Sequence, residues 1–201
     1  GPVVSKSIID VLAERAEQQP DDISYTFIDY DVDPNGFAES LTWAQLHNRV
    51  QVVAGELRKL GKVGDRAAIL APQSLEYIVG FLGALQAGFV AVPLSVPMMG
   101  VHDERATAVL KDCTPTVVLT TSAAVDAVMP SLAAVPGATI VEVDALDLDS
   151  PALPFTGTQE LAKTAFLQYT SGSTRTPAGV MVTHAGLMEN MRQIQSDWFE
   201  D

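Results

Sequence analysis

The stretch "GDRAAILAPQSLEYIVGFLGALQAGFVAVPLS", residues 64–95, decides the fold of this chain. Its flanks "RAAILA" and "FVAVPL" are short runs that are apolar at nearly every position, as in strands that are covered on both faces. Between them, a longer apolar segment from about Ser74 to Gln86 opens on a capping serine and precedes a glycine, which predicts a helix. A strand, a helix and a strand in this order predict two parallel strands joined by a helical crossover.

The same alternation of helices and strands extends to both sides of this unit. Upstream, "SIIDVLAERAEQQP" predicts an amphipathic helix that ends at Pro20, and "ISYTFIDY" and "SLTW" predict a hairpin around the turn signal "PNG". Thr42 is expected to cap a second helix, with Gly61 ending it. Downstream, "DERATAVLKDC" and "SAAVDAVMPSLAAV" predict helices, the second disturbed at Pro130, while "TVVLTT" and "TIVEVD" predict strands.

These patterns together predict an α/β fold, with a mostly parallel sheet and helices on both of its faces. The length of 201 residues is enough for one or two domains. Residues 1–4, "GPVV", are expected to be a remnant of tag cleavage or an unordered start, and Gly1 and Pro2 are left out of the fold prediction.

Composition excludes several classes of protein. The 201 residues carry 12 Lys and Arg against 25 Asp and Glu, a net charge of −13, which disfavours nucleic acids and anionic membrane surfaces as partners. Residues 77–101 hold no charged side chain, but glycines and prolines interrupt them, so we expect a buried helix, turn and strand instead of a membrane span. The single cysteine, Cys113, allows no disulfide within the chain, is expected to be buried, and fits a cytoplasmic protein.

A loop rich in hydroxyl groups lies between two predicted strands near the end of the chain. The strands are "TAFLQYT" and "GVMVTH", and the loop between them reads "SGSTRTPA". A Walker A loop needs a lysine after its second glycine and a helix directly behind it, and here Pro177 and the missing lysine argue against both. Backbone N–H groups, small hydroxyl side chains and one guanidinium, that of Arg175, can still wrap a phosphate chain. From composition alone, a phosphate-binding loop and a plain solvent-exposed turn both remain open.

The sequence "YTSGSTRTPAGV" resembles the phosphate-binding signature of the adenylate-forming enzymes, which include acyl-CoA synthetases, luciferases and peptide-synthetase adenylation domains. "LTWAQLHNRV" and residues 64–95 also resemble segments of this family in order and spacing. The wider family prefers glycine at Arg175 and lysine at Ala178. The variant found here is similar to the fatty acyl-AMP ligases, and the chain resembles the N-terminal part of such an enzyme. The resemblance implies that residues 5–201 form the N-terminal portion of the adenylation domain, which is expected to continue beyond residue 201.

The resemblance implies that the loop holds the β- and γ-phosphates of ATP. The positions that match the family's phosphate contacts are Thr170, Ser171, Gly172, Ser173 and Thr174, with Arg175 and Thr176 as positions specific to this branch. It also implies that a fatty acid carboxylate attacks the α-phosphorus of ATP, with Mg²⁺ balancing charge, and that the acyl group passes to the acyl carrier protein of a polyketide synthase.

The family's adenine-binding stretch, metal-binding glutamate, ribose-binding aspartate and C-terminal lysine have no match in residues 1–201. We therefore expect no catalytic residue in this part of the chain, and no formation of acyl-adenylate by it alone. Two alternatives stay open: an acyl-CoA synthetase, against which Arg175 and Ala178 argue, and a non-catalytic nucleotide-binding or interaction module.

Other candidate residues have weaker support. His184 follows the loop and is expected to pack or cap more often than to act as a base, and His47 and His102 have no metal-ligand pattern around them. Asp144, Asp147 and Asp149 miss the spacing of a calcium loop, so we expect a solvated acidic connection and no metal site.

Overall fold

The computed structural model describes residues 7–99, 103–153, 164–169 and 179–183. The helices are α1 Ile8–Gln18, α2 Trp43–Leu60, α3 Leu75–Gln86, α4 Glu104–Cys113 and α5 Val125–Leu132. The strands are β1 Ile23–Asp29, β2 Phe37–Thr42, β3 Arg66–Leu70, β4 Val90–Leu94, β5 Val117–Thr120, β6 Thr139–Glu142, β7 Thr164–Tyr169 and β8 Gly179–Thr183.

Six strands form the main sheet, in the order β6-β5-β3-β4-β7-β8. The first five are parallel and β8 runs antiparallel to β7, while β1 and β2 form a separate antiparallel hairpin. The predicted mostly parallel sheet is confirmed.

Helices cover both faces of this sheet, because alternate residues of its strands point to opposite sides. Ala67 and Ile69 of β3 pack with Val117 and Leu119 of β5 into the core formed with α1, α2 and α3. The intervening residues pack on the other side, against buried side chains of α4 and α5; the strand members of this second cluster are Ala68, Leu70 and Val118, and its helix members are Leu110, Val128 and Leu132. The predicted covering of both faces is therefore confirmed.

Helix α2 begins and ends where the sequence predicts, but the glycine after its last turn is needed for a reason other than the predicted one. Thr42 caps the first turn: its hydroxyl accepts from Gln45 N–H at 3.2 Å, and the Gln45 side chain accepts from Thr42 N–H at 2.9 Å. Gly61 follows the last turn in extended backbone, with φ of −164°, and not in the left-handed conformation that usually favours glycine there. A Cβ at Gly61 would lie 2.8 Å from Cζ of Phe89, so glycine is needed here for space.

The uncharged segment after Tyr77 forms the predicted buried helix, turn and strand. Gly88 has φ of +82°, its N–H donates to Leu85 O at 3.0 Å, and Phe89 N–H donates to Ala84 O at 2.9 Å. This pair of hydrogen bonds is a Schellman motif, which satisfies the last carbonyls of α3 before β4 begins. In the described parts of the chain, no helix is long and apolar enough to cross a membrane.

The prediction for Pro130 is wrong, because α5 continues through this residue to Leu132. The backbone N–H that proline lacks would have bonded to the carbonyl of Asp126, in the first turn of this eight-residue helix. The helix then ends two residues later in turns, so only this one interior hydrogen bond is given up. Burial of Val128 and Leu132 against the sheet stabilises the helix despite that loss.

Candidate functional site

The predicted phosphate loop starts and ends at one edge of the main sheet. β7 is parallel to β4, with Ala91 level with Phe166, so the carboxyl ends of these strands meet at the same edge. β8 returns antiparallel to β7, and Gly179 at its start pairs with Tyr169 at the end of β7. The prediction that the loop joins two strands is confirmed. The seven residues expected to bind phosphate lie outside the described residues; they are Thr170, Ser171, Gly172, Ser173, Thr174, Arg175 and Thr176.

A cavity of about 620 Å³ lies at this same edge of the sheet. Its wall is formed by the residues after β3, the first turn of α3, the end of β4 with the residues after it, and the N-cap and first turn of α4. The lining residues are Ala71, Pro72, Gln73, Tyr77, Pro93, Leu94, Ser95, Val96, Asp103, Arg105 and Ala106. Ligands of open α/β sheets bind outside the carboxyl ends of the strands, and this volume falls within the range of small-molecule sites. Since β4 lies beside β7, the cavity and the start of the loop occupy neighbouring strand ends.

The polar groups of the cavity wall differ in what they can offer to a ligand. Asp103 caps α4, and its Oδ1 accepts from Ala106 N–H at 2.9 Å, so that oxygen is already engaged. Arg105 follows in the first turn of the same helix and is among the residues that line the cavity. Tyr77 is partly buried, and burial raises the pKa of its phenol, so it stays neutral and can donate a hydrogen bond at physiological pH.

The residues of this cavity were not singled out in the sequence. Several of them are small or apolar, and the segments "APQ" and "LSV" match no known binding motif. Their position directly after two neighbouring parallel strands is the signal that identifies them, and it becomes usable once the strand order is known.

Several other candidates have structural roles. Cys113 is buried between α4 and the sheet, and burial raises the pKa of its thiol to about 11, so it is not a thiolate nucleophile at neutral pH. His47 Nε2 lies 3.0 Å from Nε2 of Gln51, and burial lowers the pKa of its ring. His102 and His184 lie outside the described residues.

The three aspartates after β6 are partly engaged by protein groups. Asp144 Oδ1 accepts from Ser122 N–H at 2.9 Å, and both oxygens of Asp149 bind Arg49 at 2.8 and 3.0 Å. In the residues that the structure describes, no three His, Cys, Asp or Glu side chains come together in a group suited to a metal ion.

With this geometry in place, the comparisons with known proteins identify the class of protein. The sequence profile of the AMP-binding enzymes matches residues 12–201. The chain therefore belongs to the AMP-binding enzyme family.

Within that family, the chain is similar to fatty acyl-AMP ligases. It is 55% identical over 205 residues to the long-chain-fatty-acid–AMP ligase FadD26 of Mycobacterium marinum, covering 98% of this chain and 34% of that protein. It is 51% identical over 197 residues to the 4-hydroxyphenylalkanoate adenylyltransferase of the same species, covering 96% of this chain and 32% of that protein.

A solved structure agrees with the sequence comparisons. The fatty acyl-adenylate ligase of Legionella pneumophila, crystallised with acyl adenylate and pyrophosphate, matches with a TM-score of 0.79 at 30% identity, over 97% of this chain and 33% of that one. The chain thus spans about a third of the length of the relatives that it matches.

Proposed function

We propose that this chain is the N-terminal part of a fatty acyl-AMP ligase. The observation that carries the proposal is the sequence "YTSGSTRT", which begins at the last residue of β7 and lies in the sequence between β7 and β8, whose paired ends are on the sheet edge where ligands of this architecture bind. Family membership supports ATP as the substrate, and identity of 55% to a long-chain-fatty-acid–AMP ligase supports a fatty acid as the second one.

In the proposed reaction, a carboxylate oxygen of the fatty acid attacks the α-phosphorus of ATP. The bond from this phosphorus to the bridging oxygen breaks, and pyrophosphate leaves with that oxygen, so that an acyl-adenylate forms. The loop 170–176 would contribute by holding the β- and γ-phosphates in line with the attack, through main-chain N–H groups, hydroxyls and the Arg175 guanidinium.

Mg²⁺ is proposed to arrive with ATP as the counter-ion of its phosphates. Among the described residues, no three His, Cys, Asp or Glu side chains form a group suited to a metal ion. We further propose that the acyl group is then transferred to the acyl carrier protein of a polyketide synthase, and that the complete protein acts in the cytoplasm. Residues 1–201 alone are proposed to be inactive, because the family motifs expected to bind adenine and ribose have no match in them.

The test is exchange of labelled pyrophosphate into ATP, catalysed by the complete gene product in which these 201 residues occur. We expect exchange that depends on a long-chain fatty acid, and loss of that exchange when residues 170–178 are rebuilt as a glycine-serine linker. Equal exchange by the linker variant would contradict the assignment of the loop. Addition of coenzyme A decides between the two ligase classes, since a fatty acyl-AMP ligase releases no acyl-CoA.

One comparison supports a second candidate acid. Because the chain is also 51% identical to a 4-hydroxyphenylalkanoate adenylyltransferase, a 4-hydroxyphenylalkanoic acid belongs beside the fatty acids in the same assay. Exchange with this acid and not with fatty acids would move the proposed substrate to the aryl class, with the adenylation step unchanged.

A further inference from the structure

Large apolar side chains are exposed at the end of the hairpin that β1 and β2 form. We call residues 28–39 the hairpin tip. The exposed fraction of each of these residues lies between 47% and 66%; they are Ile28, Tyr30, Val32 and Phe37. Single exposed apolar residues are common on protein surfaces, but four of them between positions 28 and 37 form a patch of the kind that marks an interaction site.

One face of the hairpin tip is apolar. Ile28 and Tyr30 lie on this face over Gly36, because a Cβ on that glycine would be 2.8 Å from Cγ2 of Ile28 and 3.2 Å from Cε1 of Tyr30. Ala38 pairs with Ile28 across the hairpin, so its side chain belongs to the same face. We call this the apolar face. Its small residues leave space for a partner beside the two large side chains.

The opposite face of the tip carries carboxylates, because alternate residues of a strand point to opposite sides. Asp29 pairs with Phe37, and Glu39 lies two residues further along β2 on the same side. Glu39 is exposed. We call the face with Asp29 and Glu39 the acidic face.

The turn between the two strands adds negative charge and is ordered by its own carboxylates. Asp29 Oδ1 accepts from the N–H groups of Asp31 and Val32, at 2.8 and 3.2 Å, and Asp33 Oδ1 accepts from Asn35 N–H at 2.8 Å. These bonds fix the main chain of the turn before any partner binds. Residues 16–48 include no Lys or Arg, so no cation nearby in the sequence balances these carboxylates.

β2 also has an edge that is open to another strand. Its first four residues, 37–40, are all exposed, and within the part of the chain that the structure describes β1 is the only strand paired with it. Main-chain N–H and C=O groups on the outer edge of β2 can therefore pair with an extended segment. Successive side chains of such a segment would alternate between the apolar face and the acidic face.

Charge decides which partner suits this surface. The chain carries a net charge of −13, so a second copy, an anionic membrane or a nucleic acid would each bring further negative charge to these carboxylates. We propose that the hairpin tip is a docking surface for an extended segment of a different protein, in which apolar residues alternate with Lys or Arg. The segment pairs with β2, its apolar side chains contact Ile28 and Tyr30, and its cations face Asp29 and Glu39. This inference does not rest on the proposed function.

The first measurement is whether the tip is accessible in the complete gene product. Tyr30→Cys and Met129→Cys place thiols at two exposed positions, the second on α5, which packs on the other face of the main sheet from the hairpin. Maleimide labelling, located by mass spectrometry, is expected to proceed at similar rates at both positions. Protection at position 30 alone would show that another part of the protein covers the tip, and would overturn the proposal.

The second measurement is the binding of a defined probe, a short labelled peptide in which valine alternates with lysine, followed by fluorescence anisotropy. We expect binding with a Kd that rises with NaCl concentration, because salt screens the charges. Peptides with serine in place of valine, or with glutamate in place of lysine, should bind at least about tenfold more weakly. Amide hydrogen exchange in residues 37–40 should become slower when the peptide is bound, since its main chain pairs with β2.

Variants of the tip separate docking at this site from a general attraction to an acidic protein. Tyr30→Ser removes an aromatic ring from the apolar face, and Glu39→Gln removes a charge from the acidic face; each should raise the Kd about fivefold. Both side chains are exposed, so these variants should fold with a thermal stability close to that of the wild type. Met129→Ser and Asp126→Asn are the matched controls on α5, where both residues are exposed, and should leave the Kd unchanged.

Absence of binding to the valine-lysine peptide would overturn the proposal, and so would a Kd that the tip variants do not change. Equal weakening by the α5 controls would show that overall charge alone attracts the peptide, and this result would also overturn it.

Discussion

Gly83 of α3 lies directly against Val53 of α2, so closely that a Cβ atom on Gly83 would come within 2.5 Å of Cγ1 of Val53. The two helices meet here because one residue has no side chain. Val53 is fully buried and lies in the middle of α2, so it has no room to move aside.

Gly83→Ala is therefore expected to destabilise the protein by about 1–3 kcal/mol, since the added methyl group must displace Val53 or separate the helices. Gly55→Ala on α2 is the control, because a Cβ there meets nothing within 4 Å and alanine favours the helix. The control should gain about 0.5–1 kcal/mol. Urea unfolding measures both, and a Gly83→Ala protein as stable as the wild type would show that α2 and α3 can separate without loss.

Gly61 and Gly64 lie close together in the sequence and are needed for different reasons. Gly61→Ala is expected to cost about 1–3 kcal/mol because its methyl group would collide with Phe89, which is fully buried. Gly64 has φ of +90° with open space around it, so Gly64→Ala should cost about 1–2 kcal/mol from backbone conformation alone.

Asparagine separates the two causes, because it tolerates positive φ but is larger than alanine. Gly64→Asn should recover part of the stability lost in Gly64→Ala, whereas Gly61→Asn should be at least as unstable as Gly61→Ala. Recovery at Gly61 would mean that its requirement is conformational after all.

Because the thiol of Cys113 is buried, we expect the free energy of unfolding to decrease at alkaline pH. Its thiol has a pKa of about 11 in the folded state against 9.0 for the unperturbed group, so the unfolded chain releases this proton first. Stability from this group is complete below about pH 9 and falls as the pH rises from 9 to 11, by up to about 2 kcal/mol.

The measurement is the free energy of unfolding at pH 8 and at pH 10.5 for the wild type and for Cys113→Ala. Tyr25 and Tyr77, whose pKa values burial also raises, contribute equally to both proteins and cancel in the comparison. Identical pH dependence in the two proteins would show that Cys113 does not titrate as described. The thiol should also resist alkylation at pH 8 until the protein unfolds.

Arg175 is expected to contribute to the binding of ATP by offering a guanidinium to the phosphates. Arg175→Ala in the complete gene product should raise the KM for ATP in pyrophosphate exchange about tenfold. Lys111→Ala removes an exposed cation from the last turn of α4 and serves as the control for overall charge. Unchanged kinetics in Arg175→Ala would remove this residue from the proposed site.

Much of the fold could be predicted because its signals are local. Thr42 and Ser74 are capping residues next to apolar stripes, Gly88 follows a helix that carries no charged residue after Glu76, and β3 is apolar after Arg66. The effect of Pro130 cannot be predicted from local sequence, because it depends on where the proline falls in a short helix and on the burial of the residues around it. The need for glycine at position 61 comes from the contact with Phe89, which lies 28 residues further along the chain.

The candidate site could be predicted only in part, for the same reason. The loop 170–176 is a contiguous motif and can be read directly from the sequence. The cavity wall joins residues 71–77, 93–96 and 103–106, which come together only when the strand order is known.

The pairing of β4 with β7 also has a consequence for synthesis on the ribosome. β4 ends at Leu94 and β7 begins at Thr164. After β4 is complete, 70 more residues must therefore be translated before β7 can begin to pair with it. At a translation rate of about 5–20 residues per second, one edge of β4 has unpaired main-chain N–H and C=O groups for roughly 4–14 seconds. Such an exposed edge invites pairing with other nascent chains, and we expect chaperones that hold emerging polypeptides to engage this protein during that interval.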